Sequence, residues 1–310
     1  MKRVMTSLQF FLVLLFLSPL TAAAAGTIEG RWDISIHAND RVRPSWLEIS
    51  HSGIKTLVGH FVHDGGSARP ISEIFVEGNK FHFSIPPQWE STTNQLKIEG
   101  VFEGDSLKGT IYYPNGQVWP FTAKRAPSLR NDKPVVWGTP VKLFNGKDLT
   151  GWEALGNNQW IVENGVLKSP KSGVNIRSTK TFADFKLHIE FRYPEHSNSG
   201  VYLRGRYEVQ ISDSKGTEPS NGDLGAIYGF IKPLMNAAKA PGEWQSYDIT
   251  LVGRVVTVMA NGQLIIQNQE IPGITGGAID SEEGLPGPIM MQGDHGPIEY
   301  RNIIITERKK

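Results

Sequence analysis

Three short segments in the C-terminal half could gather acids, amides and a guanidinium on one surface. In Leu187-His188-Ile189-Glu190-Phe191-Arg192 every even position is polar. The same holds in Tyr207-Glu208-Val209-Gln210-Ile211-Ser212, and Gln292 and Asp294 share a face in Ile289-Met290-Met291-Gln292-Gly293-Asp294. Successive strand side chains point to opposite faces, so one sheet would present Glu190, Arg192, Glu208, Gln210, Gln292 and Asp294 together. An ordinary solvated face would show the same alternation. Two features favour a concave face that binds a hydroxyl-rich ligand. The set mixes Gln, Arg and acids, unlike the Lys, Glu and Thr of a solvating face. The same half carries glycine-rich segments with ring-bearing residues, Gly225-Ala226-Ile227-Tyr228-Gly229 and Gly293-Asp294-His295-Gly296-Pro297. Glycine allows close backbone approach, and a tyrosine such as Tyr228 offers a stacking surface for a sugar ring. His295 beside Asp294 suits general acid–base chemistry, because imidazole titrates near neutral pH. His196 carries less weight.

Composition removes other chemistries. The 310 residues hold 32 bases, 31 acids, 33 Gly, 19 Pro and no Cys, for a formal net charge of +1. That balance argues against binding nucleic acid through phosphate contacts. Without Cys there is no disulfide scaffold, thiolate zinc site, iron–sulfur cluster or cysteine nucleophile. No H-E-x-x-H, EF-hand loop, P-loop or G-x-S-x-G occurs. No cofactor motif is evident. A divalent cation held by acids and carbonyl oxygens stays open, since it needs no local motif.

The elements that must position these residues are β-strands. In the first half the alternation predicts strands at Ile28–His37, Ser45–His51, Thr56–Val62, Lys80–Ile85, Gln95–Phe102, Ser106–Tyr112 and Val118–Thr122. Gly65-Gly66, Glu77-Gly78-Asn79 and Pro114-Asn115-Gly116 supply turns. Seven or eight short strands over 26–126 suit a small closed barrel. Gly30-Arg31-Trp32 resembles the G-x-W start of lipocalin-like barrels, where a Trp plugging the barrel end is the simpler role. Residues 127–140, polar and proline-bearing, read as a linker. Residues 141–310 carry many more strands, with Asn164-Gly165 and Asn261-Gly262 as hairpin turns, and imply a β-sandwich. Only Leu234–Ala240 looks helical. At the N-terminus, Lys2 and Arg3 precede an apolar run from Phe10 to Leu17 and small residues from Thr21 to Ala25. This reads as a signal peptide over 1–25, too short to span a bilayer that needs about 20 apolar residues. The expectation is a periplasmic or secreted all-β protein with no membrane insertion after cleavage.

The second half resembles the 3-keto-disaccharide hydrolase domain, a concanavalin-like (laminarinase-like) jelly roll formerly classed as a domain of unknown function. The resemblance rests on Leu143-Phe144-Asn145-Gly146-Lys147-Asp148-Leu149-Thr150-Gly151-Trp152, Trp160 with Val162-Glu163-Asn164-Gly165, and Glu190-Phe191-Arg192. It continues through Asn198-Ser199-Gly200-Val201-Tyr202-Leu203-Arg204-Gly205, Tyr207-Glu208-Val209-Gln210-Ile211, Gln292-Gly293-Asp294-His295-Gly296 and Tyr300-Arg301-Asn302-Ile303. It implies a carbohydrate substrate oxidised at C3, whose ketone acidifies the C2 proton. A base removes that proton, the C1 glycosidic oxygen leaves with acid assistance, and water adds to the enone. This needs a base, an acid and support for the enolate oxygen. The expected base is Glu190 or His295, the acid Glu208 or Asp294, and the oxyanion partner Arg204 or Arg301. Gln210, Tyr228 and Gln292 would orient hydroxyls. The alternatives are a non-catalytic carbohydrate-binding module on the same fold and a lipocalin-type carrier in which the first half does the work. The first half could also shape the substrate cleft; no motif decides this.

Overall fold

The computed structural model describes residues 27–88, 90–130 and 133–309, so the predicted signal peptide lies outside the described residues. All its regular elements are strands. The first eight are β1 (Gly30–His37), β2 (Val42–Ser52), β3 (Thr56–Val62), β4 (Arg69–Glu77), β5 (Lys80–Ile85), β6 (Leu96–Glu103), β7 (Ser106–Tyr112) and β8 (Val118–Arg125). They close into an antiparallel barrel, because β1 pairs with both β2 and β8. Alternation sends Trp32, Ile34, Leu47, Ile49, Phe61, Phe83 and Phe121 into the lumen, where they form one buried cluster. Eight strands enclose a space that such side chains fill, so the lumen is a core and not a carrier cavity. Trp32 anchors one end. Its indole N–H donates to the Ile28 carbonyl at 2.9 Å, and the Arg125 guanidinium lies 3.8 Å from the ring centre.

Strand β4 is absent from the sequence-based expectation. Its pairing with β3 shifts register between Leu57↔Ile74 and Gly59↔Ile71. Between these pairs one residue on β3 thus opposes two on β4, and Ile71 and Ile74 are both buried although three apart. A bulge of this kind hides the period of two.

The remaining strands are β9 (Val141–Lys142), β10 (Trp152–Ala154), β11 (Ile161–Glu163), β12 (Val166–Ser169), β13 (Ile176–Phe182), β14 (Phe185–Arg192) and β15 (Asn198–Leu203). After them come β16 (Tyr207–Ser212), β17 (Gln245–Val252), β18 (Val255–Ala260), β19 (Gln263–Glu270), β20 (Gly287–Met291) and β21 (Ile298–Glu307). One sheet runs β10-β13-β20-β15-β16. The other runs β11-β12-β21-β14-β17-β18-β19, with β9 on β21. Leu187, Ile189 and Phe191 from the larger sheet share a core with Val201, Val209 and Met291 from the smaller. Asn164-Gly165 and Asn261-Gly262 turn with positive φ at both residues, as two-residue hairpins require. The expected helix at Leu234–Ala240 does not form. The Leu234 N–H donates instead to the Ile265 carbonyl at 2.8 Å, and the Asn236 amide donates to the Thr217 carbonyl at 2.9 Å. Side-chain bonds of this kind offer the backbone an alternative to a seven-residue helix.

The barrel docks on the sandwich through its outer wall. Trp46 and Val62, paired across β2 and β3, are buried and belong to the sandwich core cluster. The Trp46 ring meets Phe230 edge-on at 5.4 Å. The Gly277 N–H donates to the Asp64 carbonyl at 2.9 Å. Arg31 reaches Glu270 at 2.7 Å.

Candidate active site

Strand register builds the site. Arg177 on β13, Met290 on β20, Tyr202 on β15 and Glu208 on β16 form one row across four strands. The adjacent row, Ile176, Met291, Val201 and Val209, is buried in the core. Opposite faces follow from the pleat, so the first row must face outward, away from that core. It forms the floor of a cleft of about 710 Å³ that also takes in Gln210, Tyr228, Gln292, Asp294 and His295.

Glycines bring the polar groups close to the sheet. Gly200 pairs with Gln210, and a Cβ on it would lie 2.2 Å from Glu208 Oε1, so the carboxyl rests on the bare glycine backbone. The segment around Gly225 runs along β16. The Gly225 N–H donates to the Gln210 carbonyl at 2.8 Å and the Tyr228 N–H to the Glu208 carbonyl at 3.0 Å, which brings Tyr228 to the cleft. The loop that carries His295 is pinned by the Gly173 N–H to the Gly293 carbonyl at 2.8 Å and the Gly293 N–H to Asn175 Oδ1 at 2.9 Å.

The electrostatics are unusual for two carboxylates and a histidine. Glu208 is buried, and burial pushes its carboxyl from 4.5 up to about 8. The Tyr202 hydroxyl and the charge on His295 offset only part of that rise. Hydrogen bonding agrees with a neutral acid. Tyr202 Oη lies 2.9 Å from Glu208 Oε2 and 3.0 Å from the Gly276 carbonyl. A phenol has one proton and a carbonyl only accepts, so both contacts are satisfied when protonated Glu208 donates to Tyr202 and Tyr202 donates to Gly276. His295 Nδ1 lies 2.7 Å from Asp294 Oδ1, and that bond raises the imidazole above its ordinary value. Gln210 Oε1 and Gln292 Oε1 are buried with no hydrogen-bond partner among the described residues. Such acceptors are costly to leave unmet and suit ligand hydroxyls. No group of three or more His, Cys, Asp or Glu arranged to hold a metal occurs among the described residues.

Residues 139–306 match the 3-keto-alpha-glucoside-1,2-lyase-like domain. The chain belongs to this family. It is thus a carbohydrate-active protein, and no curated protein matches it significantly. Two structures from Parabacteroides distasonis, both provisionally assigned as glycosyl hydrolases, are similar to it. One is 33% identical, with 57% of this chain covering 92% of that one at a TM-score of 0.46. The other is 21% identical, with 54% covering 93% at 0.45.

Within this lyase-like domain the structure brings together Glu208, Gln210, Tyr228, Gln292, Asp294 and His295. It does not bring Glu190, Arg204 or Arg301 to them. The expectation that one sheet presents Glu190 and Arg192 beside Glu208 is corrected, because β14 belongs to the larger sheet. Glu190 instead accepts from Arg301 Nε at 2.6 Å and Asn302 Nδ2 at 2.7 Å, while Arg301 stacks 3.9 Å over Trp244. Although burial pushes the Glu190 carboxyl up, these bonds hold it below its ordinary range. Arg204 is buried away from the cleft, where it donates to the Gly253 carbonyl at 2.7 Å and to the Tyr207 hydroxyl at 3.1 Å. Sequence reasoning missed Tyr202 and Arg177 on the floor, and Arg41, Asp64, Gly65 and Gly66 from the barrel. Tyr202 was within reach: it stands two residues from Gly200 and so shares its face.

Proposed function

We propose that the cleft cleaves glycosides carrying a ketone at C3, by elimination across C1–C2 followed by hydration. His295, oriented by Asp294, takes the C2 proton. Electrons pass through the C2 carbanion to the ketone oxygen, and the enolate expels the C1 glycosidic oxygen. Glu208 donates its proton to that oxygen, releasing the alcohol. Water adds back across C1=C2, giving the free 3-keto sugar. Gln210, Gln292 and Tyr228 orient hydroxyls. The observation that carries this reading is a carboxyl kept neutral at the floor of a polar cleft beside a histidine of raised basicity. Environments that set an acid and a base side by side mark acid–base sites. The first 25 residues support export, so the reaction belongs outside the cytoplasm.

The test is incubation of the mature protein with 3-keto-trehalose or methyl 3-keto-glucoside, with and without EDTA, scoring released 3-keto-glucose. Substrate deuterated at C2 should react several-fold more slowly if proton removal limits the rate. Binding without release from any such glycoside would return the domain to the binding-module reading.

A further inference from the structure

The barrel lies outside the matched family domain, yet it walls the same cleft as Glu208 and His295. We propose that it forms the subsite for the leaving group, with Arg41 and Asp64 selecting a polyhydroxylated one. This rests on the functional reading above.

Three observations carry it. First, the docking is built rather than tethered. Trp46 and Val62 sit in the sandwich core, and the Asp64 backbone is bonded to Gly277. A Cβ on Gly276 would lie 2.3 Å from the Gly66 carbonyl oxygen, so the two backbones touch. Second, the barrel side of the cleft offers hydrogen bonding without an aromatic surface among the described residues. Asp64 accepts from Arg43 Nη1 at 2.8 Å and also contacts His63. These partners hold it ionised below its ordinary value although burial opposes them. Arg41 is an exposed guanidinium at the cleft, and its neighbour Asp40 is engaged by Arg43 at 3.2 Å. Third, Gly65, Gly66, Gly276 and Gly277 line the cleft with bare backbone, which lets a ring approach closely. A donor fork, a fixed acceptor and exposed peptide groups match the hydroxyls of a second sugar, whereas an aryl group would find no stacking partner among the described residues of this wall.

Two variants test this in the full-length mature protein. Arg41→Ala removes the donor at an exposed position. Gly65→Leu adds bulk where a Cβ meets nothing within 4 Å, so the fold should tolerate it. The readout is kcat/KM for 3-keto-trehalose divided by that for methyl 3-keto-glucoside. Each variant should lower this ratio at least about tenfold, the loss of one charge-assisted hydrogen bond or of access. Binding of 3-keto-trehalose by calorimetry, in a Glu208→Gln background, should weaken by a similar factor. If both variants keep the wild-type ratio and binding, the barrel does not select the leaving group, although catalysis stands. If wild-type protein cleaves neither substrate, the catalytic reading fails and the subsite falls with it.

Discussion

Glu208→Gln should make the protein more stable and nearly inactive at once. Gln has the shape of the protonated acid and its amide can donate to Tyr202, so packing on Gly200 and the bond to Gly276 survive. What it removes is a titration. In the folded chain the carboxyl ionises at about 8, against an ordinary 4.5. The folded state therefore holds a proton that the unfolded chain releases, and stability falls as pH rises from about 4.5 to about 8. At pH 7 that spans roughly two and a half pH steps at about 1.36 kcal/mol each, or about 3 kcal/mol. The variant escapes this cost, which at this size corresponds to a melting temperature higher by on the order of 5–10 °C. The gain should shrink to under about 1 kcal/mol at pH 5, close to the ordinary 4.5, and vanish only well below it, where wild type is protonated in both states. Activity should fall by about 10²–10⁴, the usual worth of a general acid. The measurements are thermal unfolding of both proteins at pH 5, 6, 7 and 8, and release of 3-keto-glucose. A difference in melting temperature that ignores pH would refute the buried-acid argument. Full turnover would refute the catalytic role.

Gly200→Ala places a methyl 2.2 Å from Glu208 Oε1 and must displace the carboxyl; kcat should drop at least tenfold with overpacking costing about 1–3 kcal/mol in urea unfolding. Asp33, buried on β1 beside Glu283, is pushed by burial up to about 9. It therefore weakens the fold as pH rises from about 4 to 9, and Asp33→Asn should flatten melting temperature against pH across that window; an unchanged slope would discount it. Glu190→Gln, on the outer face of the larger sheet, should keep turnover within about threefold while losing at most about 1 kcal/mol with its partly exposed Arg301 partner. A loss of activity comparable to that of Glu208→Gln would bring Glu190 back into the mechanism.

Alternation made most strands legible because a half-buried strand writes its faces into the sequence. It placed Glu208 with Gln210 and Gln292 with Asp294 correctly. It failed at Glu190 because the period of two says which residues share a face, not which sheet the strand joins. β14 alternates as cleanly as β16, but its polar side is a solvated exterior. Arg204 failed for a related reason. It stands at a turn with φ 54°, where sequence proximity to β15 does not say which way the side chain goes. The barrel's docking left a trace at Trp46, which alternation puts on the same face as Glu48 and Ser50. A tryptophan on an otherwise polar face signals something packed against it, here Phe230. No local pattern names the partner, since it lies far along the chain.

The two halves wall the same buried acid. Glu208 stays neutral because it is buried, and barrel residues 64–66 form part of the wall of the cleft above it. Those residues are held in place by the contacts that bury Trp46 and Val62. Weakening the docking should therefore do more than open a subsite. It should let water reach the carboxyl, bring its ionisation back towards the ordinary range and remove the acid at neutral pH. Trp46→Ala, which opens a large cavity worth about 3–5 kcal/mol at the junction, would then shift the alkaline limb of the activity profile to lower pH. If the barrel were only an attached module, stability would fall but that limb would stay near 8.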